Sequence, residues 1–270
     1  NPLIGTQLPP GESGSGHARG SQPLLSLAGL LSRGKRSFGM FTGNARGPVL
    51  DLKFKSGVGK ARIAMMHDMT IGELALMFND EFIPEEDASG GNQASVRVVA
   101  MRNYNRGLAW HSTGLPWVPP SPNLPTVESA VVYSGFGLVE GTCLSEGRGT
   151  TLPFQLIGAP FLDYAFVDGL RRDFERLGLA GGMFREAYFV PTFSKFANVT
   201  LTGLQVNVSD LARVDPLRMV LLLMVRCKEA FPGAFSWVKH GNTYWIDLLT
   251  GTEDVRQGVD AGLTVDEIEA

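Results

Sequence analysis

The stretch FQLIGAPFLDYAFVDGLRRDFERLG, residues 154–178, shows how the chain is organised. Its first part, residues 154–160, is an apolar run of strand length, which predicts a buried strand. Residues 163–178 form a predicted helix, because Asp163 can cap the first turn, apolar side chains recur at helical spacing and Gly178 follows the last turn. A buried strand that leads into an amphipathic helix indicates a fold in which sheets and helices share a core.

Strand and helix patterns alternate through most of the remaining chain. A helix is predicted over residues 69–82, where Thr70 and Glu73 have the spacing of a capping box. Further predicted strands span residues 95–104, 187–193 and 202–210, and a second long helix begins at Pro216 and ends near Phe231. This alternation predicts an α/β or α+β fold.

The bulk composition limits the classes of protein to which the chain can belong. Its 270 residues suffice for one large domain or two smaller ones, with a substantial core. A formal net charge of −3 gives no indication of nucleic-acid binding or of attraction to an anionic membrane. The apolar run VLLLMV, residues 220–225, is too short for a transmembrane helix and is typical of a buried one.

The N-terminal region and the two cysteines carry little recognisable chemistry. Residues 6–47 are rich in glycine, serine, proline and basic residues, and the part that reads GESGSGHARGS is expected to be flexible. Residues 24–36 can form a short amphipathic helix or a poorly ordered insertion, and ordered structure is expected to begin near residue 47. Cys143 and Cys227 lie far apart without metal-ligand partners nearby, so they indicate neither a disulfide framework nor a zinc site.

Polar and flexible residues are concentrated in EGTCLSEGRGTT, residues 140–151. Glu140 and Glu146 can supply an acid and a base, and Arg148 can hold a carboxylate or lower the pKa of a neighbouring glutamate. Hydroxyl groups that can bind a sugar or a phosphate come from Thr142, Ser145, Thr150 and Thr151. The same composition also fits a structural loop whose charges pair with one another, and the residues alone leave both interpretations open.

The segment lacks two motifs that are common in sites of this composition. It contains no G-x-x-x-x-G-K-[ST], the sequence of a phosphate-binding P-loop. It also contains no G-x-S-x-G, and Ser145 has no local partner base, which argues against a serine hydrolase.

Two further candidates lie outside this segment. Asn123 belongs to a proline-rich loop, residues 118–126, whose stiff backbone presents its amide. The nearby Trp110 and Trp117 can stack on a sugar ring or pack in a core. His67 precedes the first predicted helix, where its imidazole can face a cleft or serve as a structural histidine.

Six motifs follow one another along the chain: HDMTIGELALMFN, TGLPWVPPSPNLPT, EGTCLSEGRGTT followed by LPF, LIGAPFLD, FREAYFVPTFSK and LLTGTEDVRQGVDAG. In this order they resemble the NamZ-type exo-β-N-acetylmuramidase family, whose members are peptidoglycan glycosidases. The resemblance extends over nearly everything from Gly47 to Ala270. The opening Asn1-Pro-Leu-Ile-Gly also resembles the family's Arg-Pro-Asn-Pro-Leu-Gly-Gly segment, which follows the first strands of the N-terminal domain.

The resemblance implies a fold and a division of the chain. It implies an α/β architecture, in which the remainder of a Rossmann-like domain precedes a smaller α+β C-terminal domain across an active-site cleft. Residues 1–46 would then hold the end of a family segment and a flexible insertion, residues 47–160 the C-terminal part of the Rossmann-like domain, and residues 161–270 the smaller domain. The family's first strands, with a Pro-Glu-His-Gly motif and its candidate catalytic glutamate, would be missing, so the 270 residues alone are expected to be inactive.

The resemblance also implies an activity. The family releases N-acetylmuramic acid from the non-reducing ends of peptidoglycan fragments, without a cofactor, and kinship suggests an extracytoplasmic or secreted location. Glu146 is the expected catalytic carboxylate, since glycoside hydrolysis commonly uses two carboxyl groups. The expected substrate contacts are Glu140, Arg148, Asn123, Ser145, Thr150, Arg185 and His67. Either Arg148 or Arg185 can hold the lactyl carboxylate of a muramyl sugar through two hydrogen bonds.

Three positions differ from the family's motifs. Arg46 stands where the family has the glutamate of Val-Glu-Gly-Pro-Val-Leu-Asp, Asp68 replaces the glycine of His-Gly-Met-Thr, and Cys143 replaces the asparagine of Glu-Gly-Thr-Asn. These differences keep a second interpretation open, in which the chain is a catalytically impaired homologue that acts as a glycan-binding or scaffold module. In a third interpretation, residues 140–151 are a structural clasp between domains.

Overall fold

A computed structural model describes residues 45–83 and 93–270. The predictions for the low-complexity segment and for residues 24–36 lie outside the described residues. None of the helices within the described ranges is both long enough and apolar enough to cross a bilayer.

The described strands pair in three antiparallel sheets: β1 with β2, β3 and β4 on either side of β5, and β6 with β7. Their bounds are β1 Arg46–Val49, β2 Ala64–Met66, β3 Leu156–Ala159, β4 Gly182–Phe189, β5 Leu201–Val208, β6 Lys239–His240 and β7 Thr243–Tyr244. The α-helices are α1 Ile71–Met77, α2 Val127–Phe136, α3 Tyr164–Arg176, α4 Pro216–Ala230, α5 Trp245–Thr250, α6 Asp254–Asp260 and α7 Val265–Glu269. Helix α1 continues into a π-helical turn, Phe78–Phe82, and short 3-10 turns span Leu52–Phe54, Trp110–Thr113 and Gly137–Gly141.

The sheet β3-β5-β4 is the central scaffold. Leu156, Gln205 and Arg185 lie side by side across it, each directly opposite its neighbour. Gly203 brings β5 close to β3, because a Cβ at this position would lie 2.0 Å from the carbonyl oxygen of Ile157. One face of the sheet packs into the main core, and the other carries the exposed side chain of Arg185 beside a smaller buried cluster that includes Leu156, Ala187 and Phe189.

The main core joins the sheet to helices from both halves of the described chain. Phe184 and Leu204 from the sheet, Phe136 from α2, Leu221 from α4 and Val259 from α6 belong to one buried cluster. Helices α2 and α4 meet at backbone distance, since a Cβ on Gly135 would lie 2.1 Å from the carbonyl oxygen of Pro216. The expected division at residue 160 falls inside this cluster and immediately after β3, and it stays a prediction.

Several predicted elements are confirmed. Asp163 caps α3, with its carboxylate 2.8 Å from the backbone nitrogen of Phe166, and Gly178 follows the helix at φ +65°. Thr70 and Glu73 form both hydrogen bonds of the capping box that begins α1. The buried strand at residues 154–160 is present as β3.

The strand predicted over residues 95–104 is wrong. No strand is present there, and Val99 keeps 80% of its surface exposed. The β-branched residues suit a half-buried pleated surface, and no neighbouring strand among the described residues supplies one. The segment instead lies against α1, where a Cβ on Gly72 would come within 2.6 Å of Val98 Cγ1.

The fold is mixed, with helices packed on antiparallel sheets. The predicted strand at residues 187–193 is shifted in the structure, because β4 begins at Gly182 and ends at Phe189. No parallel pair occurs among the strands of the described ranges, so the Rossmann-like part of the expected fold class stays a prediction.

Candidate active site

Residues 140–151 form a series of tight turns against the central sheet. Gly147 and Gly149 adopt φ of +74° and +81°, a region that glycine reaches without steric cost. A Cβ on Gly147 would lie 2.4 Å from the carbonyl oxygen of Leu156, and one on Gly149 would lie 2.6 Å from the nitrogen of Phe193. The glycines therefore serve close backbone approach to β3 and to the loop that follows β4.

Two of the hydroxyl groups in this segment hold the turns together. Ser145, which is 1% exposed, accepts a hydrogen bond on Oγ from the Gly147 N–H at 3.2 Å. Thr150 Oγ1 donates to the Gly147 carbonyl at 2.6 Å and accepts from the Leu152 N–H at 3.2 Å. The sugar contacts expected of Ser145 and Thr150 stay predictions, and both hydroxyls already have partners within the loop.

The charged residues of the segment form an alternating chain. Arg148 Nη2 lies 2.6 Å from Glu140 Oε1, and Arg148 Nε lies 3.2 Å from Glu146 Oε1. Glu146 Oε2 lies 3.0 Å from Lys195 Nζ, which completes a set of two carboxylates and two cations. Only 3% of Glu146 is exposed, so the carboxylate is buried between its two cationic partners. The formal charges of the four side chains cancel.

Lys195 is a residue of this cluster that the sequence analysis does not predict. Its Nζ atom lies 3.2, 3.3, 2.8 and 3.0 Å from the carbonyl oxygens of Val139, Glu140, Thr142 and Leu144, which share its three N–H donors with Glu146. The neighbouring Ser194 Oγ donates to Glu146 Oε1 at 3.4 Å. Lys195 ends the motif FREAYFVPTFSK, but nothing in the sequence connects it with a loop some fifty residues earlier.

Aromatic side chains form the apolar side of the cluster. The Arg148 guanidinium lies over the Phe154 ring, 5.1 Å from its centroid, and Tyr133 packs edge-on against the same ring at 4.6 Å. Burial raises the pKa of Tyr133 to about 12, and the charge of Glu140 adds to this shift. Tyr133 therefore stays neutral beside the ion pairs at neutral pH.

Three of the expected contacts lie apart from this cluster. Arg185 is exposed on β4, where Nε and Nη2 donate to Gln205 Oε1 at 2.9 and 2.6 Å. Asn123 is half-buried in its proline-rich loop, and its N–H donates to Ser121 Oγ at 3.2 Å. His67 is buried between β2 and α1. No hydrogen bond or ion pair within the described ranges joins these three residues to Glu146.

Comparison with known proteins identifies the family of this chain. The N-terminal model of the exo-beta-N-acetylmuramidase NamZ family matches residues 40–128, and the C-terminal model matches residues 131–270. The chain belongs to the NamZ family. The models meet at the start of α2, about thirty residues before the expected division at residue 160.

Similar proteins support this membership of the NamZ family. The chain is 39% identical over 222 residues to the peptidoglycan beta-N-acetylmuramidase NamZ of Bacillus subtilis strain 168. The aligned region covers 82% of this chain and 50% of that protein. The chain therefore spans half the length of this curated relative. Among solved structures, a DUF1343 family protein (BF0371) of Bacteroides fragilis matches with a TM-score of 0.68 and 28% identity, over 79% of this chain and 54% of the other. A second, BF0379, matches with a TM-score of 0.61 and 27% identity, over 92% and 65%.

The structure shows the local contacts or backbone conformation of the three residues that differ from the NamZ motifs. Arg46 forms an ion pair with Asp215, the cap of α4, at 2.6 Å. The sulfur of Cys143, which is a free thiol, accepts a hydrogen bond from the Ser236 N–H at 3.3 Å. Asp68 adopts φ +51°, a left-handed conformation that a glycine would adopt without strain. Within the described ranges, no group of three or more acidic, histidine or cysteine side chains could hold a metal ion.

Proposed function

We propose that the protein is a glycoside hydrolase that acts on peptidoglycan and releases N-acetylmuramic acid from the non-reducing ends of its fragments. The observation that carries this proposal is the 39% identity, over 82% of the chain, to a relative named as a peptidoglycan beta-N-acetylmuramidase. The match of both NamZ family models supports it. Because the chain spans half of that relative, the proposal includes the expectation that these 270 residues alone do not hydrolyse the substrate.

The segment at residues 140–151 is the proposed wall of the sugar site. It places Glu140 and Glu146 on either side of Arg148, and glycoside hydrolysis commonly employs carboxyl groups next to the scissile bond. Glu146 is the proposed catalytic carboxylate. Since only 3% of it is exposed, a sugar can reach its oxygens only after Ser194 or Lys195 moves. Glu140 is more accessible to a sugar than Glu146, because 13% of its side chain is exposed, against 4% for Glu146.

Charge compensation favours Arg185 over Arg148 as the partner of a lactyl carboxylate. Arg148 is already paired with two carboxylates, so an incoming anion would have to displace one of them. Arg185 is bonded to the neutral amide of Gln205, and no carboxylate in the described part of the chain pairs with it. Its planar group can hold a carboxylate through two parallel hydrogen bonds, which lysine cannot reproduce. We therefore expect Arg185→Lys to weaken binding of N-acetylmuramic acid about tenfold and to leave N-acetylglucosamine, which lacks the lactyl group, unchanged.

A second function is favoured by the burial of Glu146. A carboxylate that is held by Arg148, Lys195 and Ser194 is well suited to keep a loop in shape. In that case the protein is a NamZ homologue that binds glycans, or supports a partner domain, without hydrolysing them.

Turnover of a chromogenic N-acetylmuramide by the full-length gene product that contains this sequence tests the proposal. We expect turnover that falls at least a hundredfold in Glu146→Gln, with unchanged binding of the sugar. Glu175→Gln on the exposed side of α3 is the matched control and should retain full activity. Binding of the sugar without turnover by the wild type would establish the second function instead, and the absence of both would overturn the proposal.

A further inference from the structure

A second group of polar side chains lies between β2 and α1, separate from the loop at residues 140–151. His67 is only 7% exposed, and its Nε2 atom is buried without a hydrogen-bond partner among the described residues. The adjacent Asp68 has a buried Oδ1 atom that also lacks a partner in this part of the chain. Buried polar atoms in native proteins are nearly always hydrogen-bonded, so two neighbouring exceptions require an explanation.

The hydrogen bond to the other ring nitrogen, Nδ1, determines the tautomer of His67. The Met69 N–H donates to His67 Nδ1 at 3.1 Å, so Nδ1 carries a lone pair. In a neutral imidazole the proton then lies on Nε2, which makes this atom a donor. Burial lowers the pKa of His67, and the nearby Asp68 charge opposes this only in part, so the ring is neutral at neutral pH.

Asp68 supplies the complementary group. Its Oδ1 can only accept hydrogen bonds while the carboxyl group is ionised. Its backbone is held at φ +51°, which a non-glycine residue adopts at a steric cost that is typically retained where a side chain has a function. His67 and Asp68 therefore present one donor and one acceptor from adjacent positions.

The surrounding charges argue against an anionic ligand. Arg106 Nη2 lies 2.6 Å from Glu73 Oε1, and Arg106 Nη1 donates to the carbonyl oxygen of Asp68. The guanidinium charge is thus matched by a carboxylate. A phosphate or carboxylate at this position would meet the carboxylate of Asp68.

We propose that His67 and Asp68 form a binding site for a neutral ligand group that both accepts and donates a hydrogen bond, with His67 Nε2 as the donor and Asp68 Oδ1 as the acceptor. In an N-acetylated amino sugar, this chemistry is found in the acetamido group and in each ring hydroxyl. The inference rests on the proposed function for the identity of the sugar, but the two orphan atoms are independent of Glu146 and its partners.

The wild-type protein with ¹⁵N-labelled histidine provides the first part of the test. Its NMR spectra are recorded during titration with N-acetylmuramic acid, N-acetylglucosamine and muramic acid, while calorimetry measures binding of the same sugars. We expect the Nε2 resonance of His67 to shift on binding. His111, which is exposed and lies 3.5 Å from Glu128, is the internal control and should not shift.

The choice of sugars separates the two sources of the ligand group. A shift with both N-acetylated sugars but not with muramic acid assigns the acetamido group, and a shift with all three assigns a ring hydroxyl. An Asp68→Gly variant, which keeps the left-handed backbone and removes the acceptor, should bind the assigned sugar about tenfold more weakly.

Failure of this inference can be distinguished from failure of the proposed function. If the sugars bind by calorimetry while the His67 resonance stays in place and Asp68→Gly binds normally, the inference is overturned and the proposed function stands. If none of the three sugars binds, both are overturned. A water molecule that bridges the two atoms in a crystal structure with bound sugar would also contradict the inference.

Discussion

Lys195 Nζ lies 3.0 Å from Glu146 Oε2 and within hydrogen-bonding distance of four carbonyl oxygens of residues 139–144. A single ammonium group thus neutralises the buried carboxylate and also fixes the backbone that carries Glu140. The loop after β4 supplies this cation to the loop before β3, so the two loops depend on each other for their shape.

Replacement of Lys195 by methionine should destabilise the protein. The substitution leaves Glu146 buried without one of its two cations, and removal of one partner of a buried pair costs about 3–5 kcal/mol. We expect the lower end, about 3 kcal/mol, because Arg148 remains beside Glu146. Urea unfolding with a fitted midpoint and slope measures the change.

A double-mutant cycle identifies the source of that loss. Adding Glu146→Gln to Lys195→Met removes the unpaired charge, so the double variant should be more stable than the sum of the two single changes predicts. Strict additivity would contradict the ion pair and would leave the carbonyl contacts as the only role of Lys195.

Alanine at Gly147 should distort the wall through a steric clash. The added Cβ would lie 2.4 Å from the carbonyl oxygen of Leu156, and φ is +74°. The two effects together should lower the free energy of unfolding by about 2–4 kcal/mol. Gly178→Ala is the matched control, because φ there is +65° but nothing lies within 4 Å, so only about 1 kcal/mol should be lost. Equal losses at the two positions would show that close approach to β3 contributes nothing.

The sequence predicted the helices of this fold well because their signals are local. The caps at Thr70 and Asp163 and the start of α4 at Pro216 depend on residues within one turn. The prediction of a strand at residues 95–104 is wrong, since a strand also requires a partner strand, which local sequence does not specify. The start of β4 at Gly182 was missed for the same reason, because its pairing with Val208 is a long-range contact.

The sequence predicts several residues of the candidate site, but it does not predict which of them contact one another. Composition singled out Glu140, Glu146 and Arg148, and the structure does bring them together. Lys195 could not be predicted as a member of the site, because no local sequence pattern distinguishes a single lysine in a loop. Whether a hydroxyl group faces a ligand or its own backbone is likewise a property of the folded turn, as Ser145 illustrates.

Glu73 should make stability depend on acid pH. The hydrogen bond from Arg106, with a further bond from the Thr70 N–H, lowers the pKa of Glu73 from 4.5 to about 2. Because the folded pKa lies below the unfolded one, the contribution is present above pH 4.5 and is lost as the pH falls towards 2. Urea midpoints across this range should therefore decline less steeply in Glu73→Gln than in the wild type. Arg106→Gln should have the same effect, and an unchanged slope in both variants would contradict the assignment.

Tyr133 should ionise at a higher pH than an ordinary tyrosine. Burial, together with the negative charge of Glu140, raises its pKa from 10 to about 12. Since the fold favours the neutral phenol, this contribution to stability is present below pH 10 and is lost as the pH rises towards 12. Ultraviolet difference spectra of Tyr133→Phe against the wild type should isolate a single ionisation in that range. Glu140→Gln should move the ionisation to lower pH, because it removes the second cause of the shift. If the difference spectrum instead shows that Tyr133 ionises near pH 10, solvent reaches the ring and the apolar side of the proposed sugar wall is open.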